Sequence, residues 1–565
     1  MRPIPAVIAI VAALAFAGCG SRTYEQHRDA VLTNATKGDF AAAAAEVNAL
    51  YNSHEPGDQE EPGDKPSSGR HLDEQQLLLW RMERGALASL AGDLPLADRH
   101  LSDAGRVVDE RRSKDVLAQA ASFVANDTVR DYAGRLFEHA QVDYWRAINA
   151  LIAAQRREGV LGGDPAPKLA DGRTAEDEWN RAVNALRKLT MVVLTETKDT
   201  AGNDHYRDDP FCRILAAALW SAMPVSARSG ADEQFCDAMA GSAMTAYAAE
   251  RKRMGHGDGY RYEVKRRPAV AEKLFLRHAK AYDPTGFADR ASRLGFSAAE
   301  LTQADWPAGQ GSVLVLNHVG WITRPRSLDI GFLVAGGHPR RPTPEERADG
   351  ITCTTFSMGA LAMYAFGPGS EIVRTWRVVA VPGEAARVLA PGGAAIMGLS
   401  VPVHPHDRPV PPPAQVTATP AGAGGSPVGA TLEVACDLDG YTRATLKDDQ
   451  PEVLAKTITR AVAKQLAGAV ASKAIDDAGK KQNDPAVRAL ATLVNITWSA
   501  GMTATENADL RAWTTLPDRI EATLIDLPPG TYDLRLGSGP GQPPAQRVTV
   551  TAGRLAIVPF RSFTP

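Results

Sequence analysis

Ser357, His318 and Asp329 are the residue types of a nucleophile, a general base and the carboxylate that orients it, the set a serine-type hydrolase needs. Their context argues against that chemistry. Thr355 stands where a nucleophile elbow requires glycine two residues before the serine, and a chain this long offers such a trio by chance. His318 follows an apolar run at 312–317 and reads as a hydrogen-bonded loop residue. The best metal candidate is His404-Pro405-His406-Asp407, where histidines at i and i+2 share one face of a strand beside a carboxylate. It lies among prolines without a partner cluster, so a solvated loop is the default. Gly255-His256-Gly257-Asp258-Gly259 has no strand before it and no Lys-Ser/Thr after it, and reads as a hinge rather than a phosphate cradle. No cofactor is implied by any of these.

Asp509, Arg511 and Trp513 fall at i, i+2 and i+4, one side of an extended segment. There the guanidinium can pair with the carboxylate and stack over the indole. The expected role is a clasp that locks the C-terminal sheet to the preceding helix. Of the five cysteines, Cys19 carries the clearest chemistry. Arg2, an apolar stretch over 4–15 and Phe16-Ala17-Gly18 precede it, the pattern of a lipoprotein signal whose thiol is acylated before cleavage. Gly20 and Ser21 follow without the Asp that retains such proteins at an inner membrane, which favours an outer-membrane anchor facing the periplasm. Cys212 and Cys236 fall on two consecutive predicted helices, with either a disulfide or two buried free thiols as the outcome.

The elements that must position these residues divide the 565-residue chain in two. From 24 to about 280 the pattern is helical. Lys37-Gly38-Asp39 and Ala91-Gly92-Asp93 punctuate it identically, and Gly85, Ala97 and Ala104 stand at tetratricopeptide offsets from Gly92. Further helices are predicted at about 114–125, 129–157, 174–196, 210–222 and 230–252, with Tyr132, Leu136, Tyr144, Ile148 and Leu151 as a core stripe. Buried or alternating strands are predicted at 312–317, 374–382, 394–401 and 431–436, the last placing Leu432, Val434 and Cys436 on one face. A meander follows over the final 50 residues. A helix is predicted from Pro451 to about 478, its small residues Ala463, Ala467 and Ala471 allowing close packing. The fold class is α+β and multidomain. Its predicted parts are a signal peptide (1–18), a tetratricopeptide-like helical domain (19–285), a mixed α/β domain (300–402), a Pro/Gly-rich linker or loop (403–430), a strand plus long helix (431–515) and a small β-sandwich-like module (516–565).

Net charge is −3, which gives no nucleic-acid signature, although 251–280 is locally basic. Several stretches resemble an uncharacterised family of bacterial envelope lipoproteins with tetratricopeptide-like N-terminal halves. They are Trp80-Arg81-Met82-Glu83-Arg84-Gly85, Tyr144-Trp145-Arg146-Ala147, Asp209-Pro210-Phe211, and Glu506-Asn507-Ala508-Asp509-Leu510-Arg511-Ala512-Trp513 before Leu516-Pro517. The resemblance implies location and architecture, and brings no catalytic residues. The expected function is a non-enzymatic, lipid-anchored scaffold that docks envelope or secretion proteins through its helical array. The alternatives are a binder of anionic cell-wall polymer and a serine-type or metal-dependent envelope hydrolase.

Overall fold

The computed structural model describes residues 24–51, 76–118, 132, 134–163, 166–195, 210–254, 267–336, 373–381, 394–403, 411–422, 425–443, 445–446, 509–537 and 542–563. Cys19, Ser357, the 404–407 histidine motif, the 255–259 glycines and the helix expected after Pro451 lie outside the described residues.

The N-terminal half is built from α1 (Tyr24–Thr36), α2 (Phe40–Leu50), α3 (Leu77–Leu90), α4 (Leu94–Ala118), α5 (Leu136–Arg157), α6 (Ala175–Thr195), α7 (Pro210–Ala222), α8 (Gly230–Met254) and α9 (Ala269–Tyr282). The short α10 (Phe287–Arg293) and α11 (Ala298–Leu301) follow. Consecutive helices pack in pairs, α1 with α2, α3 with α4, α5 with α6 and α7 with α8. The repeated Gly-Asp punctuation makes the first two connections. Gly38 and Gly92 take φ of +80° and +77°. That conformation lets the Asp39 and Asp93 amides donate back to Asn34 and Ala88, at 3.0 and 2.9 Å. Each aspartate then caps the next helix, its side chain accepting from Ala42 N or Leu96 N at 2.9 and 3.1 Å. Gly85 is where α3 meets α4, and a Cβ there would stand 2.7 Å from the Leu101 side chain.

Two helix boundaries differ from the sequence pattern. Instead of a new helix near 114, α4 continues unbroken to Ala118. And α5 begins at Leu136, because the Glu138 carboxylate folds back to accept the Arg135 N–H at 2.7 Å and starts the helix there.

Twelve strands form three sheets among the described residues. They are β1 (Leu161–Gly162), β2 (Gly311–Val319), β3 (Arg326–Gly336), β4 (Val373–Val381), β5 (Ala394–Val403), β6 (Gln415–Pro420), β7 (Val428–Thr431), β8 (Glu433–Asp437), β9 (Arg519–Leu527), β10 (Gly530–Leu536), β11 (Gln546–Val550) and β12 (Leu555–Ser562). A five-stranded antiparallel sheet runs β1-β11-β10-β6-β7, a four-stranded one β12-β2-β9-β8, and a third β4-β3-β5. The four-stranded sheet is the middle layer. Val313, Val315, Ile525, Val558 and Phe560 face Val416, Leu534 and Val548 of the five-stranded sheet. Leu314, Leu316, Ala522, Leu524 and Ile557 join the helical core instead. Both faces of β2 are therefore covered, which is why 312–316 reads as an unbroken apolar run apart from its first serine.

Three local expectations from the sequence pattern differ from this arrangement. The C-terminal strands do not stand alone or form a meander, since β9 and β12 flank β2, antiparallel and parallel respectively, and only β10 and β11 make a hairpin. The expected linker at 403–430 contains β6 and most of β7. Leu432, Val434 and Cys436 do not share one face, because β8 shifts register between Val434 and Cys436. Leu432 packs in the sheet-to-sheet layer while Cys436 joins the helical core. Among the described residues no helix is long and apolar enough to cross a membrane.

Candidate functional site

Polar side chains that the core cannot leave unpaired concentrate along one stretch, 509–521, which runs from the helices into β9. Arg511 grips Asp509 with Nε and Nη2 at 2.9 and 2.8 Å. Its guanidinium lies over the Tyr132 ring at 5.4 Å, so the stacking expected with Trp513 goes to a different aromatic. Trp513 is instead fully buried, its N–H donating to Glu138 at 2.8 Å and its indole Nε1 to Thr515 Oγ1 at 2.9 Å. Glu138 also accepts from the Tyr132 hydroxyl at 2.6 Å, and burial together with that carboxylate raises the Tyr132 pKa well above a phenol's usual range.

Glu83, buried in the middle of α3, receives four donors from two adjacent residues. Thr514 N and Oγ1 donate to its Oε1 at 2.7 and 2.8 Å. Thr515 N and Oγ1 donate to its Oε2 at 3.2 and 2.5 Å. Burial pushes the carboxyl up to about 7, and the four hydrogen bonds pull against that rise. The clasp thus ties the segment to α3 and α5, whereas the helix it was expected to hold lies outside the described residues.

Downstream, the same segment closes the end of the four-stranded sheet. Asp518 N donates to Val319 O at 2.8 Å, and Asp439 N to Asp518 O at 3.0 Å. Arg519 bonds Glu521 through Nε at 2.8 Å, and Glu521 also accepts from Asn317 at 3.1 Å. Asp439 pairs with Arg443 at 2.8 Å and accepts from Thr323 N at 2.7 Å.

His318 stands inside β2 rather than after it and is 1% exposed. Its Nδ1 lies 3.0 Å from the Phe560 carbonyl, which can only accept, so Nδ1 carries the proton. Nε2 therefore accepts from the Tyr144 hydroxyl at 2.8 Å. Burial is the main cause that drives its pKa down to about 3, and Arg561 adds to it. Arg561 donates to His318 O at 3.1 Å and stacks over Trp321 at 4.3 Å, and burial lowers its own pKa to about 9. Asp329 is in β3, in a different sheet from His318.

Cys212 and Cys236 are buried free thiols on α7 and α8, so the disulfide alternative is not formed. The Cys212 sulfur accepts from Gln141 Nε2 at 3.8 Å, and burial pushes the Cys236 thiol up to about 12. No group of three or more metal-ligating side chains occurs among the described residues.

Glu83 and Glu138 are the residues that sequence reasoning missed. The available signal was an acid among Leu78, Leu79, Trp80, Met82, Ala86 and Leu87 on one helix, and the flanking Arg81 and Arg84 masked it by suggesting a solvated face. In comparison with known proteins, no family model, no curated protein and no solved structure matches this chain.

Proposed function

We propose that the protein is a lipid-anchored envelope lipoprotein, attached through Cys19 to an outer membrane, facing the periplasm and docking other envelope or secretion proteins rather than catalysing a reaction. One observation carries the reading. The buried carboxylates and His318 are engaged in hydrogen bonds that join helices to the middle sheet and to the segment leading into β9, with His318 neutral and both of its nitrogens in use. Residues arranged in this way hold surfaces in place. The paired helices, their Gly-Asp turns and the close approach at Gly85 support a tetratricopeptide-like array as the docking element.

The outer face of α4, with Arg99, Arg106, Asp109 and Glu110 exposed, is the surface to test. In-cell crosslinking with the full mature chain is expected to recover an envelope protein, with recovery falling at least tenfold for the pair Arg99→Glu and Arg106→Glu. Identical recovery from parent and variant would overturn docking through this face. Intact-mass measurement of the mature N-terminus reads the anchor independently: acyl mass on Cys19 is expected, and its absence rejects the lipoprotein reading.

A further inference from the structure

Arg561, next to last in β12, leaves one edge of its guanidinium unused. Leu555 and Ile557 point from β12 into the helical core, and Arg561, four residues beyond Ile557, lies on that same face. Its Nη1 donates to the carbonyl of His318, its register partner on β2, at 3.1 Å. Nε and Nη2 are buried and have no hydrogen-bond partner among the described residues. Those two N–H groups form the edge that takes both oxygens of one anion side by side. Arg511 and Arg519, both buried, spend the same edge on a carboxylate, Arg511 on Asp509 and Arg519 on Glu521. The opposite charge that acts on Arg561 is Asp518, whose carboxylate pairs with Arg519 at 3.6 Å.

Two aromatic rings wall this edge. Trp321 and Phe563 stack with their centres 4.9 Å apart, and the Arg561 guanidinium lies 4.3 and 5.0 Å from those centres. Trp321 is held from the other side, its Nε1 donating to Thr36 Oγ1 at 2.9 Å at the C-terminal end of α1. Both rings are half-buried, so the cluster reaches the surface. Aromatic faces favour the cation but offer its N–H groups no acceptor. Away from water an unpaired charge is costly, and a hydrogen-bonded ion pair is strengthened for the same reason.

We propose that Arg561 binds a carboxylate from outside the chain on its Nε–Nη2 edge, with Trp321 and Phe563 as the walls of the site. Charge and size select the ligand. One positive charge is available and Asp518 already acts on it, so a dianionic phosphate brings excess negative charge. A carboxylate is planar and smaller than phosphate, and matches two nitrogens that are themselves buried. It enters by displacing an aromatic side chain, with no backbone element moved. A free acid and the C-terminal carboxylate of a peptide share this chemistry. The site depends neither on acylation of Cys19 nor on docking through α4.

Saturation-transfer NMR on the full chain tests it, with acetate and N-acetylalanine as probes, N-acetylalanine amide as the uncharged control and inorganic phosphate as the competing anion. Acetate is expected to bind and the amide to give no signal. Binding of acetate alone assigns a free acid as the ligand, and binding of both carboxylates extends the site to peptide C-termini. Arg561→Lys keeps the charge without the paired edge and should weaken binding at least tenfold. Arg535→Lys, at an exposed position of β10, should leave it unchanged. Where Arg561→Lys loses its thermal transition, a crystal structure of the parent with acetate decides, with both oxygens expected on Nε and Nη2. Absence of carboxylate binding, equal binding of the amide, undiminished binding by Arg561→Lys, tighter binding of phosphate than of acetate, or acetate seated elsewhere overturns the proposal.

Discussion

Glu83 and His318 titrate in opposite senses, and the difference gives each a signature. The Glu83 carboxyl stands at about 7 in the folded protein against 4.5 when free, because it is buried. The folded chain therefore binds that proton more tightly. The stabilisation is fully present below pH 4.5 and is lost as pH rises through about 7, on the order of 3 kcal/mol. His318 stands at about 3 against 6.5. Its stabilisation is present above pH 6.5 and is lost as pH falls through about 3. We expect Glu83→Gln to flatten the stability profile between pH 4.5 and 7 and to destabilise the fold by about 2 kcal/mol, since its new amide faces donors. Thermal melts of variant and parent across that pH range check both effects. His318→Phe keeps a ring but removes the hydrogen bonds that His318 makes with the Phe560 carbonyl and the Tyr144 hydroxyl. A loss of about 2 kcal/mol at neutral pH, with reduced sensitivity to acid, is the expected result by urea titration.

At the scale of elements, the strand most in need of protection is β12, the outer strand of the middle sheet. Gln155 on α5 supplies what a neighbouring strand would. Its Nε2 donates to Ile557 O at 2.8 Å, and its Oε1 accepts from Ile557 N at 2.9 Å. Arg554 extends the cover, donating to Glu158 and to the Ala222 carbonyl at 2.9 and 2.8 Å. Gln155→Leu should leave both buried backbone groups unpaired and cost about 2–3 kcal/mol, with faster amide exchange at Ile557 as the local readout. Much of this level is legible in sequence. Alternation marks β9 and β10, and the Gly-Asp pairs mark the turns. Proline density hid β6, although Val416 and Ala418 alternate correctly into the core. Gln155 and Glu83 could not be read locally, because their partners lie 402 and 431 residues away. A polar side chain in a helix looks solvated until its distant partner is known.

For the whole molecule, the helices and the middle sheet share one core. Arg277 on α9 adds a bidentate bond to Asp526 on β9 at 2.9 and 2.8 Å. The 24–280 portion alone would therefore expose the apolar faces of α5, α7 and α9. It should bind a hydrophobic dye and melt without a cooperative transition, while in the full chain helix and sheet signals should be lost together in calorimetry and circular dichroism. A stable, cooperatively melting fragment would contradict the shared core. The parallel pairing of β12 with β2 has a consequence for how such a chain matures. Synthesised N-terminus first, it carries α5 and β2 long before residues 555–562 follow, and until they do Gln155 has no Ile557 backbone to cover and β2 lacks its parallel neighbour. Completion of β12 is thus a checkpoint on chain integrity: a product truncated by ten residues loses nearly all of β12 and leaves one edge of β2 open.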